Sequence, residues 1–194
     1  TIISLFLITF ISAQDILENI PQEGLVGWWP FDNDLKDDSK SKNKAKVSGT
    51  SFANDRNSNS NKALSFNGSS DNISFKKIKK LKFETQDQFT VRFWIKSNLK
   101  GSPGMIFSKM YHEAPYSGFE IFTNTKGTLL VYMIHDASQG KNNFILLETL
   151  NPVLNDNKFH HVVVTYEGPP NANGIKIYAD GLQQKLELPQ TIYL

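Results

Sequence analysis

Cysteine is absent from the 194-residue sequence, which excludes a disulfide-stapled scaffold and the usual zinc sites built on cysteine. An excess of one charge is also absent, because 21 Lys and Arg against 19 Asp and Glu give a net charge of +2. This near balance gives no general case for nucleic acid as a partner. The one long apolar run, residues 1–13, is too short to span a bilayer. We therefore expect no transmembrane segment within these 194 residues.

The apolar run at residues 1–13 ends in Ile11-Ser12-Ala13, a small-residue cleavage pattern that precedes polar residues. The alternative is a hydrophobic core strand, but the length of the run and its polar flank favour a signal peptide. The chain has no positive n-region and does not begin with Met, so we expect that region to be missing. The prediction is cleavage after Ala13, a linker at 14–23, and a secreted or cell-surface protein.

Short apolar stretches separated by turn residues fill the rest of the chain, with no alternating helices. We predict a first strand at 24–32, another at 47–52, and two more at 63–75 around an Asn-Gly turn. The clearest strand is 89–96, where four residues share a core-facing side and are worth roughly 1.5–3 kcal/mol each when buried. These four are Phe89, Val91, Phe93 and Ile95. Many short strands without helices indicate a β-sandwich.

Two further strands are predicted between residues 159 and 182. In the first, Val162, Val164 and Tyr166 alternate with a mixed face, and in the second the apolar residues are again two apart. The glycines and prolines of 168–174 can continue neither strand, because proline removes a ladder donor. Asp180-Gly181 is a hairpin signal of the type I′ kind, which requires positive φ at both central residues.

Four of these stretches resemble the LamG-like domains of the concanavalin A-like lectin/glucanase superfamily. The sequence at 159–182 is similar to the family pattern WHHVAVTYDG…LYVDG, with Phe159 in place of Trp. Residues 24–32 resemble LVAYYPFDG, and residues 89–96 resemble FTISFWVKP. Residues 63–75 resemble ALSFDGSDDYIEV, with Asn67 in place of Asp.

The resemblance implies an all-β, concanavalin A-like jelly-roll β-sandwich of two antiparallel sheets over residues 24–194. In the family one or two closing strands follow the VDG hairpin, and no matching pattern is found after Gly181. We therefore expect the domain to be incomplete at its C-terminal strands and to belong to a longer protein.

Because the superfamily includes glucanases, an enzymatic role has to be weighed. A retaining glycosidase needs two carboxyl groups about 5–5.5 Å apart, and such enzymes place them two residues apart on one strand in Glu-x-Asp-x-Glu runs. No Glu starts such a run, including Glu84, Glu120 and Glu148. The adjacent His160 and His161 would point to opposite faces of a strand and cannot chelate one metal ion together. No metalloprotease, serine hydrolase or P-loop motif occurs, so we predict no enzymatic activity.

Three aromatic residues are candidates for ligand binding. Trp94 lies off the core face of its predicted strand and could stack on a sugar ring, or equally be covered by a neighbouring loop. Tyr111 and Tyr116 lie in a loop expected at the rim of the sandwich, where loops decide binding. Exposed loop tyrosines can also be inert.

Calcium is the one cofactor that the resemblance suggests, because lectin-like sandwiches hold it with Asp carboxylates and backbone carbonyls. Asp32 resembles the family residue placed near the closing strand. Asp71 and Asp180 are weaker candidates, for which a turn-forming role is the alternative.

These observations predict a non-catalytic extracellular recognition module that binds carbohydrate or an extracellular glycoprotein, as part of a larger secreted or surface protein. One alternative is a structural or adhesion spacer without its own ligand. Another is an accessory module of a carbohydrate-active enzyme whose catalytic domain lies beyond residue 194.

Overall fold

The regular structure of the computed structural model is nearly all β-strand; the structure describes residues 22–76, 78, 87–97, 103–110, 117–134, 144–168 and 172–189. The chain divides into two compact units, Thr1–Leu81 and Lys82–Leu194. The predicted signal peptide at 1–13 and most of the predicted linker at 14–23 lie outside the described residues.

Among its described residues, the first unit contains four short strands: β1 (Ala45–Ser48), β2 (Ser51–Ala53), β3 (Ala63–Ser65) and β4 (Asn72–Phe75). β1 pairs with β4 and β2 with β3, both antiparallel, so the segment is a hairpin with a break in each arm. The single strand predicted at 47–52 is therefore wrong. Gly49 interrupts it with a φ of 78°, and a Cβ there would lie 2.0 Å from Oδ1 of Asp71, so this break requires glycine.

The Asn-Gly turn predicted within residues 63–75 does not join a directly paired hairpin, because β3 and β4 pair with different strands. Asn67 organises the loop instead. Its Oδ1 accepts hydrogen bonds from the backbone N–H groups of Ser69, Ser70 and Asp71 at 2.8, 3.0 and 3.2 Å. A side-chain acceptor thus replaces strand pairing in this loop.

The strand predicted at 24–32 is also wrong, since these residues adopt no regular structure. The buried carboxylate of Asp37 holds this segment to the following loop. Its Oδ1 accepts from Trp28 N and its Oδ2 from Asn43 N, while Asn43 Nδ2 donates to the Val26 carbonyl. Backbone groups need partners when buried, but those partners need not be another strand.

The second unit contains nine strands and one 3₁₀ turn among its described residues. They are β5 (Phe89–Lys96), β6 (Gly104–Met110), β7 (Gly118–Thr123), β8 (Leu129–Ile134), β9 (Phe144–Thr149), β10 (Phe159–Tyr166), the turn Ala172–Gly174, β11 (Ile175–Ala179), β12 (Leu182–Gln183) and β13 (Leu186–Glu187). One sheet has the order β12-β11-β10-β5 and the other β13-β9-β8-β7-β6. All pairings are antiparallel.

The core of this unit lies between the two sheets. β5 and β10 send alternate residues into it, as the sequence predicts, and β11 contributes Ile175, Ile177 and Ala179. The buried cluster comprises Phe89, Phe119, Ile121, Leu129, Val131, Leu147, Leu154, Val162, Val164, Tyr166, Ile175 and Ile177. The predicted all-β jelly-roll sandwich of two antiparallel sheets is therefore confirmed.

A two-residue turn at Asp180 and Gly181 connects β11 to β12, with φ values of 50° and 81°. Both are positive, as a type I′ turn requires. The sequence predicts that the C-terminal strands are incomplete, and the described residues contain two short strands after this turn. β12 pairs with β11, whereas β13 pairs with β9 in the other sheet. The chain thus passes from one sheet to the other between Gln183 and Leu186.

Candidate functional site

The outward side of the four-stranded sheet carries Trp94, the most exposed of the large aromatic side chains among the described residues. Thr90, Arg92, Trp94 and Lys96 on β5 alternate with core residues and are exposed. Trp94 keeps 47% of its surface accessible, an unusually large fraction for an indole. The structure therefore agrees with the predicted position of Trp94 off the core face.

A second ring lies directly beside Trp94. Its register partner on β10 is His161, and the two ring centroids are 5.1 Å apart at an interplanar angle of 38°. Directly opposed residues of an antiparallel pair are the closest side-chain neighbours on a sheet face. The contact holds the indole against the sheet and leaves much of its surface open to solvent.

The strand register extends this outward face across the whole sheet. Arg92 is opposite Val163, which is opposite Tyr178, which is opposite Gln183. In a neighbouring row the Nζ of Lys96 lies 5.7 Å from the centroid of the Phe159 ring, within cation–π range. We call this surface the Trp94 face, defined by Arg92, Trp94, Lys96, His161 and Tyr178. Rings and hydrogen-bond donors alternate on it.

A charged cluster at the end of β10 fixes the backbone behind this face. His160 Nδ1 lies 2.7 Å from Asp180 Oδ2, and His160 Nε2 lies 2.9 Å from Asp156 Oδ1. We call these three residues the His160 clasp. The hydrogen bonds to Asp156 and Asp180 raise the pKa of His160 above its usual value. His160 is on the core side of the strand and His161 on the other, as the predicted alternation requires.

Asp180 also holds His161, the residue that follows His160 on β10, because its Oδ1 accepts the backbone N–H of His161 at 2.8 Å. Burial alone would raise the pKa of Asp180, but the hydrogen bonds from His160 and His161 outweigh it and lower the pKa. One turn carboxylate therefore positions both histidines.

The predicted rim tyrosines, Tyr111 and Tyr116, lie outside the described residues. Their role in binding stays a prediction.

The three predicted calcium ligands each have a protein partner. Asp32 Oδ2 pairs with Lys62 Nζ at 2.8 Å, and Asp71 Oδ2 accepts the backbone N–H of Asn67 at 2.9 Å. Asp180 belongs to the His160 clasp. Among the residues that the structure describes, no three His, Asp or Glu side chains are grouped to hold a metal ion. Calcium binding by these aspartates stays a prediction.

Strand register also produces a carboxylate pair that a search along single strands cannot find. Glu148 on β9 is directly opposite Glu187 on β13. Glu148 is only 6% exposed, and its Oε1 accepts hydrogen bonds from Asn124 Nδ2 at 2.7 Å and Thr128 Oγ1 at 2.6 Å. A buried carboxylate bonded to two side chains of the β7–β8 connection supports that connection.

The sequence singles out Trp94 but not its neighbours on the Trp94 face. His161 and Tyr178 become neighbours only through the pairing of β5 with β10 and of β10 with β11. The signal that could have found them is the alternation in the three strands, taken together with a correct register.

No helix among the described residues has the length and apolar character needed to cross a membrane.

Comparison with known proteins identifies the family. A laminin G-type family model, described as concanavalin A-like lectin/glucanases superfamily, matches residues 67–187. Searches of curated proteins and of solved structures find no significant match. The matched region contains β4 to β13 and therefore both sheets of the second unit. The chain belongs to the concanavalin A-like lectin/glucanases superfamily as a laminin G-type domain.

Proposed function

We propose that this protein is a non-catalytic extracellular recognition module that binds carbohydrate, alone or on a glycoprotein, through the Trp94 face. The observation that carries the proposal is the half-exposed indole of Trp94 beside the His161 ring. Family membership supports a lectin-like or adhesion module in general terms, whereas the ligand has to be argued from the surface itself.

The chemistry of the Trp94 face suits a sugar ring. A pyranose has an apolar C–H side, which stacks on an aromatic ring, and hydroxyl groups around its edge, which need hydrogen-bond partners. Trp94 supplies the ring, while Arg92 and Lys96 on the same strand supply donors on either side. Aromatic residues with adjacent donors also suit a protein partner, which is why the ligand class needs a direct test.

The extracellular location is part of the same proposal. It is supported by the signal-like sequence at 1–13 and by the laminin G-type family, whose domains are usually extracellular.

The test is a glycan array probed with the full chain, once in calcium and once in a chelator, with the variants W94A and T90A alongside. Thr90 lies on the same strand and the same outward side as Trp94, which makes T90A the matched control. We expect selective glycan binding that W94A weakens about tenfold or more, a loss of roughly 1.4 kcal/mol, and that T90A leaves unchanged.

Two outcomes would contradict the proposal. Equal binding by W94A and the wild type would remove the Trp94 face as the site. A folded wild-type protein that binds no glycan would remove the carbohydrate ligand and favour an adhesion or spacer role with protein partners.

A further inference from the structure

A cleft lies at the edge of the sandwich where the chain passes from one sheet to the other. It has a volume of about 630 Å³ and is formed by β9, the Ala172–Gly174 turn, β11, β12 and β13. Sites for small ligands are roughly 300–1,000 Å³ in volume. The cleft opens at the β12 edge of the four-stranded sheet, whereas Trp94 lies on β5 at the opposite edge.

The cleft has an apolar floor and a polar rim. The floor is formed by Leu147, Ile175 and Leu186, which belong to the hydrophobic core or pack against it. Most rim residues carry amides or ammonium groups: Asn173, Lys176, Gln183, Gln184 and Lys185. None of the lining residues is acidic. This lining is more polar than that of most small-ligand sites, which suits a ligand with several hydroxyl groups.

The walls of the cleft are fixed by backbone hydrogen bonds. Gln184 N donates to the Ile177 carbonyl at 2.8 Å, which ties the crossing segment to the four-stranded sheet. Leu150 N donates to the Lys185 carbonyl at 2.9 Å, which ties the same segment to the other sheet. A site whose backbone is held from both sides loses little entropy when a ligand binds.

The rim groups differ in whether they already have partners. Lys176 Nζ is paired with Glu167 Oε1, and Gln184 Nε2 donates to the Leu182 carbonyl at 2.9 Å. The side chains of Asn173, Gln183 and Lys185 form no hydrogen bond or ion pair with any described residue. The cleft therefore offers one unpaired cation together with two amides, each of which can both donate and accept.

We propose that this cleft binds a saccharide residue that carries a single carboxylate, such as a hexuronic acid. The ammonium group of Lys185 pairs with the carboxylate, while Asn173 and Gln183 exchange hydrogen bonds with ring hydroxyls. The apolar floor takes the C–H side of the ring. The one unpaired cation matches the one negative charge of the ligand. The amides favour a ligand with hydroxyl groups over a simple carboxylate such as acetate. The site does not depend on the Trp94 face.

The test is a titration of the full ¹⁵N-labelled chain followed by NMR, with glucuronate, glucose and acetate at equal ionic strength. We expect saturable shifts for glucuronate at the amides of Asn173, Lys185 and Leu186, with much weaker binding of glucose and acetate. Because a hydrogen bond to a charged group is lost, K185Q should weaken glucuronate binding about tenfold or more. K126Q is the matched control, since Lys126 is an exposed lysine in the β7–β8 turn, and should bind as the wild type does.

N173A provides a second variant in case K185Q fails to fold, and it should lower the affinity for glucuronate more than that for acetate. The proposal is overturned if glucose binds as tightly as glucuronate, if K185Q and N173A both bind like the wild type, or if no saturable shift occurs. Shifts confined to the amides of Arg92, Trp94 and His161 would also overturn it, because they would locate the binding on the Trp94 face. Failure of the Trp94 proposal leaves the result at the cleft unchanged.

Discussion

At the scale of single residues, Asp37 holds together a segment that lacks regular structure. Its two carboxylate oxygens accept four hydrogen bonds, from Trp28 N, Ser39 N, Asn43 N and Asn43 Nδ2. Burial would raise the pKa of Asp37, but the bonds from Trp28, Ser39 and Asn43 outweigh that effect and lower the pKa. The ionised form is therefore the one that stabilises the fold, and its contribution is lost as pH falls through the lowered pKa.

We predict that D37N lowers the free energy of unfolding by roughly 2 kcal/mol or more, because an amide group would place its own donor against donors. The measurement is the urea midpoint followed by tryptophan fluorescence. D34N is the control, since the one described partner of Asp34 is Lys36 at the surface, and we expect a change below about 0.5 kcal/mol there. Equal midpoints for D37N and D34N would contradict the structural role assigned to Asp37.

At the scale of elements, the His160 clasp connects the β9–β10 loop to the β11–β12 turn. The raised pKa of His160 means that the folded state holds the proton more tightly than the unfolded state does. The stabilisation is complete below the unfolded value of 6.5 and disappears as pH rises through the folded pKa. Asp156 and Asp180 have lowered pKa values and stay ionised throughout this range.

We predict that the melting temperature of the wild type falls between pH 6 and pH 9 more steeply than that of H160N. The difference between the two curves isolates His160, because the other titrating groups are shared. D156N, which removes one of the two carboxylate partners, should give an intermediate slope. Parallel curves for the wild type and H160N would show that the clasp does not depend on the proton.

Two glycines in turns of the second unit both have a positive φ but differ in their surroundings. Gly127 has a φ of 83°, and a Cβ there would lie 2.2 Å from the Leu154 carbonyl oxygen, whereas Gly181 has a φ of 81° and open space around it. Gly127 O also accepts the backbone N–H groups of Val153 and Leu154. The two positions therefore separate backbone strain from steric clash.

We predict that G181A costs about 1–2 kcal/mol from backbone strain alone. G127A should cost at least about 2 kcal/mol more, because the added methyl group displaces the backbone at Leu154. Urea midpoints of both variants provide the measurement. If G127A is as stable as G181A, the predicted clash between a Cβ at residue 127 and the Leu154 carbonyl is contradicted.

The elements that alternation predicts best are those whose two faces meet different surroundings. β5, β10 and β11 each have one face in the core and one outside, so apolar residues recur at every second position and their faces can be assigned. The expected strand at 24–32 is apolar too, but its backbone is bonded by the side chains of Asp37, which accepts, and Asn43, which donates. No local pattern records these partners. The two-residue strands β12 and β13 are too short to show a period at all.

At the scale of the whole molecule, the sandwich could be predicted from the resemblance and from the number of short strands, while the order of strands in each sheet could not. β5 pairs with β10 although β6 to β9 lie between them in the sequence. Hydrophobic alternation within a strand carries no information about which other strand it pairs with. The Trp94 face and the cleft both depend on such pairings. Trp94 could therefore be named from the sequence, whereas His161, Tyr178 and Lys185 could not be assigned to a site.

The pairing of β5 with β10 also predicts the order in which strands form during folding. β6, β7, β8 and β9 are neighbours both along the chain and in their sheet, so each contact between them closes only a short loop. The β5–β10 pair closes a loop that contains all four of those strands, and a longer loop costs more entropy before any contact repays it. We therefore expect the central strands of the five-stranded sheet to form first and the Trp94 face to form late, when β5 pairs with β10.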